Sequence, residues 1–215
     1  MRLDLQVRLQ SYEKDLQDFG LDPMSDAEKQ TVARLVNIES VLIQEEMEYD
    51  ITELQTNVDS VIGTFTEDQK KIFDTVMKAV TENESCQIFI AARGGCGKTY
   101  LLNGILDAVR SSNSDGCIAL AMATTGIAAQ LLNLGRTFHS RLKAPLHPDE
   151  NSTLSITKQS QLSKLVQKAK VLLIDEVTML HKFQLEALDR TLQDLTGKEN
   201  STFGGKFIIL AGDYR

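Results

Sequence analysis

The residues of this sequence best suited to chemistry form a short glycine-rich segment between an apolar run and a helical pattern. Gly94, Gly95 and Gly97 precede Lys98 and Thr99. Glycines allow a turn whose backbone N–H groups point inward at a polyphosphate, and the helix that follows presents unpaired N–H groups to the same anion. A lysine here can reach the β- and γ-phosphates, and a threonine hydroxyl can bind Mg²⁺. The segment therefore predicts a phosphate-binding loop, with a glycine-rich surface turn as the alternative.

Two further residues, Arg93 and Cys96, lie within the same loop and belong to the predicted nucleotide site. The loop departs from the pattern G-x-x-x-x-G-K-[ST] at one position, because Ala92 stands where glycine is usual. Alanine adds only one methyl group, so we expect the loop to tolerate it.

A second pair of chemical groups, Asp175 and Glu176, directly follows the apolar run 171–174. Beside a phosphate loop, Asp175 can hold Mg²⁺ opposite Thr99, and Glu176 can orient and deprotonate an attacking water. An acidic turn after a strand is common by itself, so the inference depends on its combination with the loop. Together they predict hydrolysis of a bound nucleotide, with Glu176 and Lys98 as the catalytic residues.

The elements that must position these residues alternate along the chain. Short apolar runs predict strands over 88–92, 117–123, 171–174 and 206–211, and helical patterns lie between them, including 157–170 and 181–195. This alternation is typical of a parallel sheet with helices on both faces, which binds ligands beyond the carboxyl ends of its strands. The candidate residues lie at those ends. Residues 146–157 are polar, and we expect an exposed insertion there.

Charge divides the 215 residues into two parts. Residues 1–62 hold 14 acidic and 5 basic side chains, whereas residues 63–215 hold 16 acidic and 18 basic ones. We therefore predict an acidic helical extension over 1–62, with a solvated linker near 45–59, and one domain over 63–215 whose charge allows a nucleic-acid surface. The extension shows no recognisable chemistry, and it is either a linker with an amphipathic helix docked on the core or an independent module.

Three cysteines, at positions 86, 96 and 117, show neither a metal-ligand spacing nor a disulfide framework. The sequence also has no signal-peptide pattern at its start and no apolar run of membrane-spanning length. These features indicate a reducing compartment and no membrane partner.

Four segments together resemble one family: AARGGCGKT, ATTGIAAQLLNLGRTFHS, LLIDEVTML and LAGDYR. They are similar to motifs I, Ia, II and III of the petite-integration-frequency (Pif) DNA helicases of superfamily one, and especially to the helicase domains of Helitron transposons. The likeness covers about residues 64–215. The second segment is the most specific, because an unrelated P-loop ATPase has no reason to carry TTGIAA followed by RTFHS. The resemblance implies a RecA-like P-loop NTPase domain and an ATP-dependent DNA helicase that uses Mg²⁺.

The resemblance also implies further site residues. Gln69 matches the glutamine that reads adenine, and Asp213 matches the start of the motif that couples nucleotide state to DNA. Four residues match the motif that lines the single-strand channel: Thr125, Gly126, His139 and Ser140. Hydroxyls, free backbone N–H groups and an imidazole suit phosphate contacts, and the nearby basic side chains of Arg136, Arg141 and Lys143 add charge. The alternatives are a solvent-facing Gln69 and a His139 that bonds only to backbone.

The family continues, beyond these motifs, into a glutamine that senses the γ-phosphate and a second RecA-like domain. We therefore expect an incomplete first lobe, truncated at the C-terminus, that hydrolyses ATP slowly at best and does not unwind DNA alone. Its expected partners are single-stranded DNA or DNA junctions, in repair, recombination, telomere maintenance or transposition. The expected location is the nucleus, with the cytosol or the mitochondrion as alternatives. Another reading is a transposon-derived remnant that binds nucleotide or DNA without helicase activity.

Overall fold

The computed structural model describes residues 16–112 and 117–213, except for the side chains of residue 18 and residues 32–41. Its contacts divide the chain into two compact units that meet between residues 45 and 46. The first unit contains a 3-10 helix, Leu16–Phe19, and most of helix α1 (Asp26–Met47). Ser25 caps α1, because its Oγ accepts from Glu28 N at 3.3 Å while its own N–H donates to Glu28 Oε2 at 2.9 Å.

Helix α2 (Ile51–Ile62) belongs to the second unit. The sequence predicted a solvated linker there, within an extension that ends at residue 62. Asp50 caps this helix by accepting from Thr52 N and Glu53 N at 2.8 and 3.1 Å. Val58 and Ile62 pack against the hydrophobic core. The linker prediction over residues 45–59 is therefore wrong, because an apolar stripe on an otherwise acidic segment is enough to fold and dock it.

Five strands form one sheet in which every pairing is parallel. The strand order is β1-β5-β4-β2-β3, and Ala91 pairs with Gly212 while Ala123 pairs with Asp175, so the strands end together at one edge. This confirms the parallel sheet and adds a short strand that the sequence did not predict. The strands are β1 (Gln87–Ala91), β2 (Ala119–Ala123), β3 (Arg136–Thr137), β4 (Val171–Asp175) and β5 (Phe207–Gly212).

Helices connect the strands. Another helix precedes β1, and Thr66 begins it with a capping box, because its side chain accepts from Gln69 N while Gln69 Oε1 accepts from Thr66 N. The predicted helix over 157–170 is shorter than expected, because it begins only at Gln161 and ends at Lys168. The helices are α3 (Glu67–Thr81), α4 (Lys98–Arg110), α5 (Gly126–Leu131), α6 (Phe138–Leu142), α7 (Gln161–Lys168) and α8 (Lys182–Thr196), with 3-10 turns at Val177–Met179 and Thr202–Gly205.

The core lies on both faces of the sheet. On one face, Ala121 and Leu173 belong to a cluster that α3 and α4 complete. The alternate residues, Met122 and Ile174, are also wholly buried. Successive side chains of a strand point to opposite faces, so helices cover the sheet on both sides, as predicted. Within the described residues, no helix is both long and apolar enough to span a bilayer.

Candidate nucleotide-binding and DNA-binding site

The glycine-rich loop joins β1 to α4, and its backbone explains two of its three glycines. Gly95 and Gly97 have φ of 81° and 76°, a region that residues with a Cβ rarely adopt. A Cβ on Gly97 would also lie 2.8 Å from Gln69 Nε2. Gly94 has neither constraint. The backbone of Ala92 does not have a positive φ, and its N–H donates to Gly212 O at 3.2 Å. Alanine at this position therefore leaves the loop unstrained.

The lysine of the loop reaches both predicted carboxylates. Lys98 Nζ lies 2.8 Å from Asp175 Oδ1 and 2.9 Å from Glu176 Oε1. The Lys98 and Asp175 side chains are only 9% and 3% exposed, whereas that of Glu176 is 31% exposed. Burial alone would lower the pKa of Lys98, but hydrogen bonds and attraction from the two carboxylates outweigh it and raise that pKa. The structure therefore brings together three of the four predicted catalytic and metal-binding side chains, with the lysine charged.

The carboxylates owe their position to the end of β4, which lies between β5 and β2. Glu176 has φ 54° and ψ 36°, a left-handed conformation that costs a non-glycine residue about 1–2 kcal/mol. Three hydrogen bonds hold it: its N–H donates to Asp175 Oδ1 at 2.8 Å, and Thr124 donates from Oγ1 to Glu176 O at 2.8 Å and from N to Asp175 O at 3.2 Å. Such a conformation, fixed by its surroundings, is common at functional sites. The part played by Thr124 was not predicted from the sequence.

A cavity of about 790 Å³ opens in front of the loop, a size suited to a small-molecule ligand. Asp213 reaches it from the end of β5, and Gly94 N donates to Asp213 Oδ2 at 3.3 Å. Three lining residues were not predicted, namely Tyr100, Thr178 and Met179; for Tyr100 the signal was its place directly after Thr99 at the start of a helix. The lining residues are Arg93, Gly94, Gly95, Gly97, Lys98, Thr99, Tyr100, Glu176, Thr178, Met179 and Asp213.

Gln69 lies against the loop rather than facing solvent alone. Its Nε2 donates to Cys96 O at 3.4 Å, and its Oε1 completes the cap of α3. Cys96 itself is exposed and does not line the cavity. The structure thus places Gln69 beside the predicted nucleotide site, and its contact with adenine stays a prediction.

The predicted DNA contacts lie at the same edge of the sheet. Thr125 and Gly126 begin α5 directly after β2, and His139 and Ser140 lie on α6 directly after β3. Because β2 and β3 are parallel neighbours, both pairs follow carboxyl ends of adjacent strands. The Thr125 hydroxyl accepts from Ala128 N at 3.2 Å, which caps α5.

The side chains of this second group differ in exposure. Ser140 is exposed, whereas His139 is half-buried and its Nε2 contacts Nε2 of Gln184, a side chain rather than backbone. Arg141 is buried, pairs with Glu46, and donates to Leu134 O at 2.8 Å. The expectation that Arg141 adds charge to a DNA surface is therefore wrong, because its guanidinium is buried and bonded to other parts of the chain. Arg136 and Lys143 are exposed.

The donor set at the cavity fits Mg²⁺. This ion prefers oxygen ligands, and it commonly takes one or two from the protein and the rest from phosphates and water. Thr99 offers a hydroxyl in the cavity wall, and Asp175 offers a carboxylate held beside Lys98. In the part of the chain that the structure describes, no group of three or more His, Cys, Asp or Glu side chains could hold a metal.

The fold and the site define a class. A parallel sheet carries a glycine-rich loop with Lys-Thr after one strand and Asp-Glu after another, and the lysine meets both acids. This arrangement is a P-loop nucleotide-binding domain of the RecA-like kind. The model of the PIF1-like helicase family matches residues 64–215, so the chain belongs to that family.

Individual relatives agree with this assignment. The chain is 33% identical over 137 residues to the ATP-dependent DNA helicase PIF4 of Trypanosoma brucei brucei, a match that covers 61% of this chain and 16% of that protein. It is 31% identical over 129 residues to the ATP-dependent DNA helicase Pif1 of a Psychrobacter species, covering 59% and 19%. The matched part is thus less than a fifth of each relative's length.

Solved structures show the same fold. The crystal structure of Bacteroides Pif1 bound to single-stranded DNA superposes with a TM-score of 0.56 at 28% identity, covering 69% of this chain and 32% of that one. The Bacteroides Pif1 complex with ADP-AlF3 and single-stranded DNA gives a TM-score of 0.56 at 30% identity, with the same coverage of both chains. The predicted RecA-like fold and Pif-family membership are confirmed, while the likeness to Helitron domains stays a prediction.

Proposed function

We propose that this chain is the ATP-binding and ATP-hydrolysing lobe of an ATP-dependent DNA helicase. The observation that carries the proposal is the contact of Lys98 Nζ with Asp175 and Glu176 at 2.8 and 2.9 Å, in a cavity lined by the glycine-rich loop. The names of its relatives, which are ATP-dependent DNA helicases, support the same reading.

Binding of ATP exchanges the partners of Lys98. The phosphate oxygens meet the N–H groups of the loop and the start of α4, and they offer the ammonium stronger anionic partners than two carboxylates. Lys98 then moves to the β- and γ-phosphates, which releases Asp175 and Glu176. Mg²⁺, held by Thr99 and Asp175, would neutralise charge that develops on the phosphates.

Hydrolysis needs a base beside the γ-phosphate. Once Lys98 has moved, the Glu176 carboxylate accepts a proton from a water molecule. The water oxygen bonds to the γ-phosphorus as the bond to the bridging oxygen breaks, and the electron pair leaves with ADP. The hydrogen bonds from Thr124 keep the Glu176 backbone in place during this step.

The same lobe binds single-stranded DNA at the start of α5 and on α6. Thr125 and Gly126 offer a hydroxyl and backbone N–H groups, and Ser140 and His139 offer side-chain donors to phosphates. We also propose that DNA junctions are bound, that the protein acts in the nucleus, and that its role lies in repair, recombination, telomere maintenance or transposition. A fluorescently tagged copy seen only in the cytosol or mitochondrion would contradict the nuclear location.

The test compares the wild-type chain with Glu176→Gln and with Glu150→Gln, the same change at an exposed loop position. Binding of a fluorescent ATP analogue, turnover of labelled ATP and anisotropy of a labelled oligo-dT strand are measured. We expect Glu176→Gln to bind nucleotide normally but to lose about 10²–10⁴-fold in turnover, the usual contribution of a general base. Glu150→Gln should behave as wild type.

Each result decides between readings. Turnover by Glu176→Gln equal to that of the wild type would remove Glu176 from its role. Nucleotide binding with no turnover in any variant would favour a remnant that only binds. Failure of the wild type to bind oligo-dT would remove the DNA part of the proposal.

A further inference from the structure

Within the described part of the chain, the three most buried charged residues outside the nucleotide site share one region. Glu46, Arg110 and Arg141 are 3%, 1% and 4% exposed. Glu46 comes from the end of α1, Arg110 from the last turn of α4, and Arg141 from α6. Burying a charged side chain is costly unless it is paired and hydrogen bonded. We therefore expect these three side chains to hold neighbouring segments of the chain in place.

Arg141 joins Glu46 to the segment before β3. Its Nη1 forms an ion pair with Glu46 Oε1, and its Nη2 donates to Leu134 O at 2.8 Å. Leu134 has φ 55°, so the carbonyl that accepts this bond belongs to a strained turn. The guanidinium thus fixes both α6, on which it lies, and the turn that leads into β3.

Arg110 also bonds to the turn before β3. Its Nη2 donates to Asn133 O at 2.9 Å and to Ala119 O at 3.1 Å. Asn133 Nδ2 in turn donates to both carboxylate oxygens of Asp107, at 3.0 and 2.9 Å. Burial lowers the pKa of Arg110, and the negative charges of Asp107 and Glu46 oppose that effect. Glu46 therefore lies close enough to influence both arginines.

The segment that carries Glu46 is itself anchored. The Tyr49 hydroxyl donates to Cys117 O at 2.8 Å, just before β2. Asp50 caps α2, and α2 packs against the core. The segment that supplies Glu46 is thus held by contacts with the sheet and the core.

We propose that Glu46 is a positioning residue for single-stranded DNA, acting through Arg141 on α6, which carries His139 and Ser140. The inference rests on the proposed DNA-binding function. Helix α6 is only five residues long and has little stability of its own, so its orientation depends on side chains such as Arg141. Without the Glu46 carboxylate, the guanidinium loses its charged partner in the interior and turns toward water, carrying α6 with it.

This inference gives the region before residue 64 a function. The family match begins at residue 64, yet the acid that pairs with the motif carrying His139 comes from Glu46. The short stretch that carries Glu46, at the start of the second unit, is then a working part of the DNA-binding lobe.

The experiment uses the whole chain and two matched variants, Glu46→Gln and Glu48→Gln; residue 48 is exposed. We expect Glu46→Gln to weaken binding of a labelled oligo-dT about tenfold, within the range for residues that act on a site indirectly. Binding of a fluorescent ATP analogue should not change. Hydrogen exchange should become faster in peptides from 134–142 and stay the same in 98–110. Glu48→Gln should match the wild type in all three measurements.

A double-mutant cycle with Arg141→Met tests the route. If Glu46 acts through Arg141, then Glu46→Gln has no further effect on oligo-dT affinity in the Arg141→Met background. If Glu46→Gln alone fails to fold, the double variant, which removes both charges of the Glu46–Arg141 pair, is compared with Arg141→Met alone. Additive effects, or an unchanged affinity for oligo-dT in Glu46→Gln, would overturn the inference.

The two proposals fail differently. If the wild-type chain does not bind oligo-dT, the proposed DNA binding is wrong, and so is a role of Glu46 in it. Hydrogen exchange then still reports whether Glu46 fixes α6. If the wild type binds and Glu46→Gln binds equally well, only the inference about Glu46 is lost.

Discussion

The hydroxyl of Thr124 donates a 2.8 Å hydrogen bond to the carbonyl oxygen of Glu176, which joins the predicted DNA-binding turn to the proposed base. Thr125 and Gly126, the candidate DNA contacts, follow Thr124 directly. Glu176 has the left-handed backbone conformation that this bond helps to hold. If DNA binding moved the turn that contains Thr124, this hydrogen bond would transmit the movement directly to Glu176.

Thr124→Val tests that connection. Valine keeps the shape of threonine but removes the donor, and a hydrogen bond of this kind is worth about 0.5–1.5 kcal/mol, which corresponds to roughly two- to tenfold in turnover. We expect ATP turnover to fall by that factor while affinity for the nucleotide analogue stays the same. Thr153→Val, at an exposed position, is the control. Unchanged turnover in Thr124→Val would show that the bond does not support Glu176.

Lys98→Met should abolish nucleotide binding and also destabilise the empty protein. The substitution removes the phosphate contact and leaves the buried Asp175 carboxylate without its 2.8 Å partner, at a cost of about 3 kcal/mol. Urea denaturation and titration with the ATP analogue measure the two effects. Lys168→Met, at an exposed position, should change neither. A variant as stable as the wild type would mean that the ion pairs are not formed in the empty site.

The glycines of the loop should differ in their tolerance of alanine. Gly97→Ala places a Cβ 2.8 Å from Gln69 Nε2 at φ 76°, so we expect a loss of about 1–2 kcal/mol in stability and weaker nucleotide binding. Gly94→Ala meets nothing within 4 Å and has an ordinary φ, so its stability should match the wild type. Thermal melting of both variants checks this. Equal melting temperatures for the two variants would contradict the structure.

Lys206 should make stability depend on pH in the alkaline range. Its Nζ donates to Ala169 O at 2.9 Å beyond the end of α7, and burial, together with the charge of Lys198, lowers its pKa to about 8. The unfolded chain keeps the ordinary value of about 10.4, so between these pH values it binds more protons than the folded state, and stability rises with pH. Urea denaturation at pH 8 and pH 10 should show a larger gain for the wild type than for Lys206→Met. An equal gain in both would show that Lys206 titrates normally.

Much of the fold follows from local patterns, and the exceptions have physical reasons. Four strands were predicted because each is a short apolar run in a sheet buried on both faces. β3 was missed because its two residues, Arg136 and Thr137, show no periodicity and pair only because β2 lies beside them. The segment 45–59 was misread because its acidic residues outnumber the few apolar ones that dock α2.

The site shows the same division. The meeting of Lys98 with Asp175 and Glu176 was predictable, since a phosphate loop and an acidic strand end lie at one edge of any parallel sheet of this order. The burial of Arg141 was not, because its partner Glu46 is 95 positions away and belongs to a segment without a motif. Local sequence reveals residue type and spacing, whereas a buried ion pair depends on which distant segments pack together.

The register of the sheet also bears on how such a sequence can change over evolutionary time. Ala123 pairs with Asp175, and Ala91 pairs with Gly212. The register of the sheet therefore fixes the position of Asp175 at the end of its strand. Because successive side chains alternate between faces, gaining or losing one residue inside β4 would turn Asp175 to the wrong face of the sheet. The number of residues can therefore change in the exposed stretch 149–151, whereas the number of residues in each strand must stay constant. Among descendants of this gene, insertions confined to such loops would preserve the site, and a single-codon deletion within a strand would end it.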